Sequence, residues 1–404
     1  MTDGGSVHTI SVRDRRRALV QRHQLAGGAA DPEAVARAMV ALHATDPASV
    51  YLSVLARSAT STLADVSAAM YDRRTLVRWM AMRRTLFVFP REDIPTVQAA
   101  VSASLSAALR RRLISLLNRN GTDPPVRNAD LGAWLAGVEK RVERAVLERG
   151  SATGTQLATD VPDLATMIPA RTASERPHRL TTPLLTLMSA EGRLVRGTPT
   201  GAWTNRQHRW EPSTTWWPAG LPALDENEAQ RELARRWLSR FGPATVEDLQ
   251  WWTGWTKTAR ARALAGLTVE DVDLHGRPGI ALAEPDRAPD ESDEVAPAAA
   301  LLPALDPTPM GWKHRDWYLS IDPAAVFDRA GNIGPTLWWD GEIIGSWAVT
   351  ATGEVCTAIL VDRGRDANAA VEHMAQRLPG RLGGAVVTPA ARTPLEQELA
   401  RPSH

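Results

Sequence analysis

A chain of 404 residues, 44% hydrophobic and 23% charged, is long enough for more than one core, and at about 100–200 residues per domain it predicts roughly two to four domains. No run approaches the roughly 18 apolar residues that cross a bilayer, the N-terminal MTDGGS has no apolar stretch of the signal-peptide kind, and a single cysteine, Cys356, leaves no disulfide framework and no cysteine metal cluster, so a soluble, cytoplasmic protein without metal or cofactor is expected. The net charge of +1 conceals an uneven distribution: arginines gather at Arg13 with Arg15 to Arg17, at Arg110 to Arg112 and at Arg193, Arg196, Arg206 and Arg209, while acids gather at Asp286 to Glu294, which points either to a surface that meets polyanions or to solvated helix faces.

Val35, Met39 and Leu42 follow an i, i+4, i+7 spacing that predicts a helix over Pro32 to Ala44. Asp46 and Pro47 read as the N-cap and first position of a second helix, which Val50 with Val54 and Tyr51 with Leu55 carry to Arg57. His43 and Thr45 therefore fall at a helix junction. The run TLFVFP at 85–90 has strand composition and stops at proline. A long helix over Ile94 to Leu117 and a polar connector from Asn118 to Asn128 follow.

An internal echo comes next: LERGSATGTQL at 147–157 resembles LSRFGPATVEDL at 238–249. In both, a helix ends near glycine and Ala-Thr opens a short helix, with Thr245 and Asp248 approximating a capping box. Behind the first copy lie a helix over His178 to Ala190 and RLVRGTPTGAWT, a hairpin turning at Thr198 to Gly201. Behind the second lie a helix over Thr258 to Ala265 and a strand over Ile280 to Leu282. Helix, helix, helix, hairpin is the winged-helix order, here in tandem.

Ala283 to Ala300 reads as a linker or exposed loop. Beyond it TLWWDGEIIGSW at 336–347 carries Asp340-Gly341 between β-prone runs, a strong hairpin signal. Strands at Trp347 to Thr350 and Val355 to Val361 and a helix over Asp366 to Leu378 complete a small antiparallel β domain, barrel-like in one reading. The expected fold class is α+β: a winged-helix-like domain over 1–125 with His43 and Thr45, a second winged helix with its wing over 126–222, a third over 223–285, and a linker with the β domain over 286–404.

HATDPASVYLS at 43–53, MRRTLFV at 82–88, LLPALDP at 301–307, HRD at 314–316 and WDGEIIGSW at 339–347 together resemble the AlkZ/YcaQ-like winged-helix DNA glycosylases, in the same order and over nearly the whole chain. The resemblance implies tandem winged helices arranged around a DNA duplex, a C-terminal β domain, and excision of bulky N7-alkylated purines or crosslinks. The family's catalytic pair, Gln-x-Gln or Gln-x-Asp, falls on His43 and Thr45. Its Arg-Gly-Thr-Leu strand falls on Arg83, Arg84, Thr85 and Leu86, so both the glutamines and the glycine are replaced. The expected partner is alkylated double-stranded DNA, met by a monomer at the nucleoid.

Alkylation at N7 makes the purine cationic and a good leaving group, so the protein needs only to place a water and to stabilise an oxocarbenium-like sugar. A neutral His43 as general base, with the Thr45 hydroxyl holding the same water, meets that need; Asp46 is the anion nearest in sequence. The same residues also read as a helix-end cap and ordinary turn chemistry. Candidate DNA contacts are Arg83, Arg84, Arg110, Arg111, Arg193, Arg196, Arg206 and Arg209. Trp203, Trp210, Trp216 and Trp217 suit base stacking or core packing. One reading is a monofunctional glycosylase, since no lysine lies near the pair in sequence to form a Schiff base. Another is a non-catalytic winged-helix DNA-binding protein, a regulator or lesion-binding factor; a small-molecule role for the β domain is a third. The first two are separated by whether His43 and Thr45 line an open basic concavity or lie buried.

Overall fold

The computed structural model describes residues 8–126, 130–173, 175–283 and 296–401. The acidic run from Asp286 to Glu294, most of the expected linker and the end of the polar connector lie outside the described residues. The fold is mixed α and β, and one local construction occurs three times: a helix, a short extended segment, two further helices and a hairpin, with the extended segment paired to the hairpin's second strand. The first copy runs through helix Pro32–Ala38, strand Leu42–His43, helices Pro47–Arg57 and Leu63–Ser67, and strands Leu76–Met80 and Leu86–Pro90. In the second, Ala152 bridges to Trp210 between helix Leu131–Arg149 and helices Gly154–Asp160 and Thr181–Ala190, before strands Leu194–Pro199 and His208–Pro212. In the third, Ala244 bridges to Ile280 between helix Glu226–Phe241 and helices Val246–Thr253 and Lys257–Ala265, before strands Val269–Asp273 and Pro278–Leu282.

Local chemistry explains the echo. Thr153 with Gln156 and Thr245 with Asp248 each close a capping box, satisfying otherwise orphaned backbone donors at the start of equivalent helices. In the first copy Asp46 and Pro47 open the corresponding helix as N-cap and first residue. The preceding helix, expected to reach Ala44, stops at Ala38. Val40 adopts a φ of 59°, which no right-handed helix accommodates, and Leu42 and His43 then extend to lie opposite Val88 and Phe87. His178 likewise belongs to a short strand pair with Ile168, and its helix begins only at Thr181. The hairpin expected to turn at Thr198 to Gly201 runs to Pro199 and returns only at His208.

The C-terminal part is a four-stranded antiparallel sheet in the order Ala299–Leu302, Thr336–Trp339, Glu342–Val349, Val355–Ile359. Asp340 and Gly341, with φ of 45° and 78°, make its tight turn. The outer strands do not pair with each other, so the sheet is open and not a barrel. Helix Arg365–Arg381 and helix Pro47–Arg57 of the first copy both pack on it, through Val371 and Ala375 and through Ala48, Leu52 and Leu55.

Two main cores result. One joins the first copy, the third and the C-terminal sheet through Leu42, Phe89, Trp237, Trp252, Trp312 and Trp338. The second copy has its own, around Leu113, Leu135, Leu157, Leu184 and Trp210. Long-range polar ties bind the joint core. Arg57 is fully buried, its Nη1 and Nη2 donating to Asp306 Oδ2 at 2.8 Å and Oδ1 at 2.7 Å and its Nε to the His23 carbonyl at 2.9 Å. Arg15 stacks on Trp317 at 4.1 Å, and Arg16 donates to the Trp317 carbonyl and pairs with Glu342. That part of the N-terminal arginine cluster holds the fold together instead of facing a polyanion.

Candidate functional site

Residues directly opposite one another in an antiparallel ladder share a face, so His43, Phe87 and Trp79 line one side of the first sheet. The His43 ring stands edge-on to Phe87 at 5.1 Å, the residue is 7% exposed, and its Nδ1 is sealed from solvent with no hydrogen-bond partner. Burial, reinforced by the charge of Arg83, pushes its pKa down to about 4. The ring is therefore neutral from pH 5 upward. A helix terminus would have favoured the charged form through its free carbonyls, but His43 sits in a strand, where no such row of carbonyls exists.

Thr45, two residues on, is exposed. Asp46 is not the free anion that its position suggested. It is 3% exposed, its Oδ1 caps the helix at the Ala48 amide (3.4 Å), and its Oδ2 accepts from the Ala390 amide at 2.7 Å.

The turn joining the two long strands of this sheet presents Arg83 and Arg84, with φ of 54° and 60°. A left-handed non-glycine residue costs about 1–2 kcal/mol, so Arg84 is strained where the resembled strand motif carries glycine. The turn is held by the Thr85 hydroxyl donating to the Met82 carbonyl at 2.6 Å. Arg83 reaches across to the third copy, its guanidinium 4.0 Å from the centre of the Trp251 ring. Arg315 lies 5.1 Å from the same ring. Arg83 is exposed, yet desolvation of its guanidinium against Trp251 and then the charge of Arg315 lower its pKa to about 10, and neither arginine forms an ion pair among the described residues. Asp248 sets up this arrangement. Its Oδ2 closes the capping box while its Oδ1 accepts the Lys313 and His314 amides, both at 2.9 Å, which fixes the chain next to Arg315. Sequence reasoning missed Trp251 and Arg315. The HRD motif signalled Arg315, whereas nothing in linear spacing brings Trp251 to Arg83.

Several of the predicted DNA contacts are engaged internally. Arg110 pairs with Glu139 and Glu191 at 2.8 and 2.6 Å. Arg193 pairs with Glu139, Glu143 and Glu191, which ties together two helices of the second copy. These are not solvated arginines, and Arg193→Ala is expected to destabilise the protein by about 1–3 kcal/mol, between the worth of an exposed pair and a buried one. A urea midpoint unchanged from wild type would contradict that. Arg209 donates to the Ser151 hydroxyl at 2.8 Å, and Arg196 is buried. Arg84, Arg111 and Arg206 are exposed. Trp210 and Trp216 are buried, Trp203 packs on Tyr51 at 4.8 Å and Trp217 on Trp79 at 5.7 Å, so all four serve packing. Among the described residues no cluster of His, Cys, Asp and Glu is placed to hold a metal ion, and no helix is long and apolar enough to cross a membrane.

A threefold helix-and-hairpin array closed by an antiparallel sheet, with His43 in an extended segment before the second helix, finds its relatives by comparison. The DNA glycosylase AlkZ-like family model matches residues 36–381, and the chain belongs to that family. Among solved structures it is similar to the Streptomyces sahachiroi DNA glycosylase AlkZ, with a TM-score of 0.68, 19% sequence identity, and 94% of this chain and 99% of that chain covered. At that identity the likeness is one of fold. No match to a curated protein was found.

Proposed function

We propose that the chain is a monofunctional DNA glycosylase that binds duplex DNA with three winged helices and hydrolyses the N-glycosidic bond of bulky N7-alkylated purines or crosslinks. One observation carries this reading: His43, which the resemblance sets in the family's catalytic slot, has its pKa lowered to about 4 by burial and an Nδ1 without a hydrogen-bond partner, two residues from the exposed Thr45. With Nδ1 sealed, Nε2 is the nitrogen that meets water. It takes a proton as the water oxygen attacks the sugar C1′, and the electron pair of the breaking C–N bond neutralises the cationic purine. Thr45 orients that water. Arg83 and Arg315, splayed over Trp251 without carboxylate partners, take the flanking phosphates. The repeated element order, with each extended segment paired to its own hairpin, supports the winged-helix reading.

A lesion-binding protein without catalysis is the second reading, favoured by the 7% exposure of His43. Single-turnover assays on duplexes carrying a bulky N7-alkylguanine separate the two. Base release is expected to hold from pH 8 down to about 5 and to decline toward pH 4. The competent form is the neutral ring, and its lowered pKa keeps it neutral over that plateau. Salt-sensitive binding with no base released, across several lesion sizes, leaves only the lesion-binding reading.

A further inference from the structure

The seam between the first and second hairpins holds a group of cations that the proposed chemistry does not use. Arg78, on strand Leu76–Met80, is 3% exposed, and Arg196, on strand Leu194–Pro199, is 7% exposed. Arg196 lies 4.8 Å over the Trp210 ring, and His208 stands edge-on to the same ring at 4.7 Å. Arg196 faces Trp210 directly in the ladder, and His208 lies two residues before Trp210, so these three share one face. Arg196 Nε and Nη1, Arg78 Nε and His208 Nε2 are all sealed from solvent without a hydrogen-bond partner. The other contact of Arg78 is neutral, its Nη2 donating to the Tyr71 hydroxyl at 3.2 Å. Glu211, the nearest acid in the hairpin, pairs with Val195 on the opposite face and turns to Arg74 at 4.0 Å.

Neither Arg78 nor Arg196 forms an ion pair among the described residues, and an unpaired buried charge costs several kcal/mol. Burial, and then the charge of Arg78, lowers the Arg196 pKa to about 9. We propose that this seam is an oxyanion site of phosphate chemistry, in which the Arg78 and Arg196 guanidinium groups donate to one tetrahedral anion. Guanidinium groups suit that ligand because their planar donors match its oxygens. The anion comes either from free phosphate bound as part of the fold or from a phosphodiester of the DNA; only the second source rests on the glycosylase reading.

Thermal unfolding of the intact protein tests it, in phosphate or sulfate against chloride at equal ionic strength. The wild-type midpoint is expected to rise by about 2–4 °C in the oxyanion buffers. Arg196→Met and Arg78→Met each remove one cation while keeping the stem volume, and should lose that increment. If one of the two fails to fold, the other carries the test. For the DNA source, Arg196→Met also lowers the salt slope of duplex binding by about one. An unchanged slope with the thermal increment lost assigns the site to free anion, and that assignment stands even if no base is ever excised. A wild-type midpoint equal in chloride and phosphate, together with an unchanged duplex slope in Arg196→Met, overturns the proposal.

Discussion

Replacing Asp306 by alanine is expected to destabilise the protein by about 3–5 kcal/mol, the usual cost of leaving a fully buried charge without its partner. Both side chains of the Arg57–Asp306 pair are completely inaccessible. Asp306 accepts two guanidinium donors, the Ser53 hydroxyl at 2.7 Å and the Thr308 amide at 2.9 Å. Without the carboxylate, the guanidinium keeps only the Thr308 hydroxyl and backbone carbonyls. The double change Arg57→Met with Asp306→Leu should recover much of the loss, because an apolar pair of similar volume carries no desolvation penalty. Urea unfolding reads both. A loss below about 1 kcal/mol for Asp306→Ala would mean that water reaches the pair. The LLPALDP motif therefore has an architectural duty: it anchors the helix that His43 precedes.

His43→Ala is expected to lower single-turnover excision of an N7-alkylpurine by about two to four powers of ten, the usual contribution of a general base, while duplex binding persists. Thr45→Ala should cost roughly 0.5–1.5 kcal/mol in the barrier, one neutral hydrogen bond to water, and so about a tenfold loss or less. The double change His43→Gln with Thr45→Gln rebuilds the resembled Gln-x-Gln pair and should retain excision but lose the decline toward pH 4, since an amide does not titrate. His43 is buried, so each variant is compared at matched folded fraction. Full excision by His43→Ala would sink this mechanism and leave the enzyme reading standing.

Features written in two to four adjacent residues were legible in the sequence: the Asp340-Gly341 turn, the Thr245–Asp248 capping box and the Asp46-Pro47 helix start all appear where local chemistry puts them. The helix over Pro32 to Ala44 was misread because Leu42 is fully buried whether it continues a helix or enters a strand, and apolar spacing alone does not tell the two apart. Arginines on helices read as solvated until their partners are placed. Arg110 meets Glu139 and Glu191, which lie 29 and 81 residues away. The assignment of His43 and Thr45 to the catalytic slot rests on resemblance alone. The neutrality of His43 was not legible, because it depends on burial beneath Phe87 and on Arg83 across the turn.

Arg57 waits 249 residues for Asp306, and the Leu55, Ser58 and Ser61 carbonyls wait 320 to 326 residues for Arg381. At about 5–20 residues per second, a ribosome delivers Asp306 roughly 12–50 s after Arg57. The second copy, whose core lies within residues 113–210, can close in that interval. The first part of the chain to be synthesised is thus the last to be completed, and until strands Ala299–Leu302 to Val355–Ile359 arrive its apolar helix Pro47–Arg57 has no sheet to cover it. During synthesis, that helix presents an apolar face for a chaperone to hold.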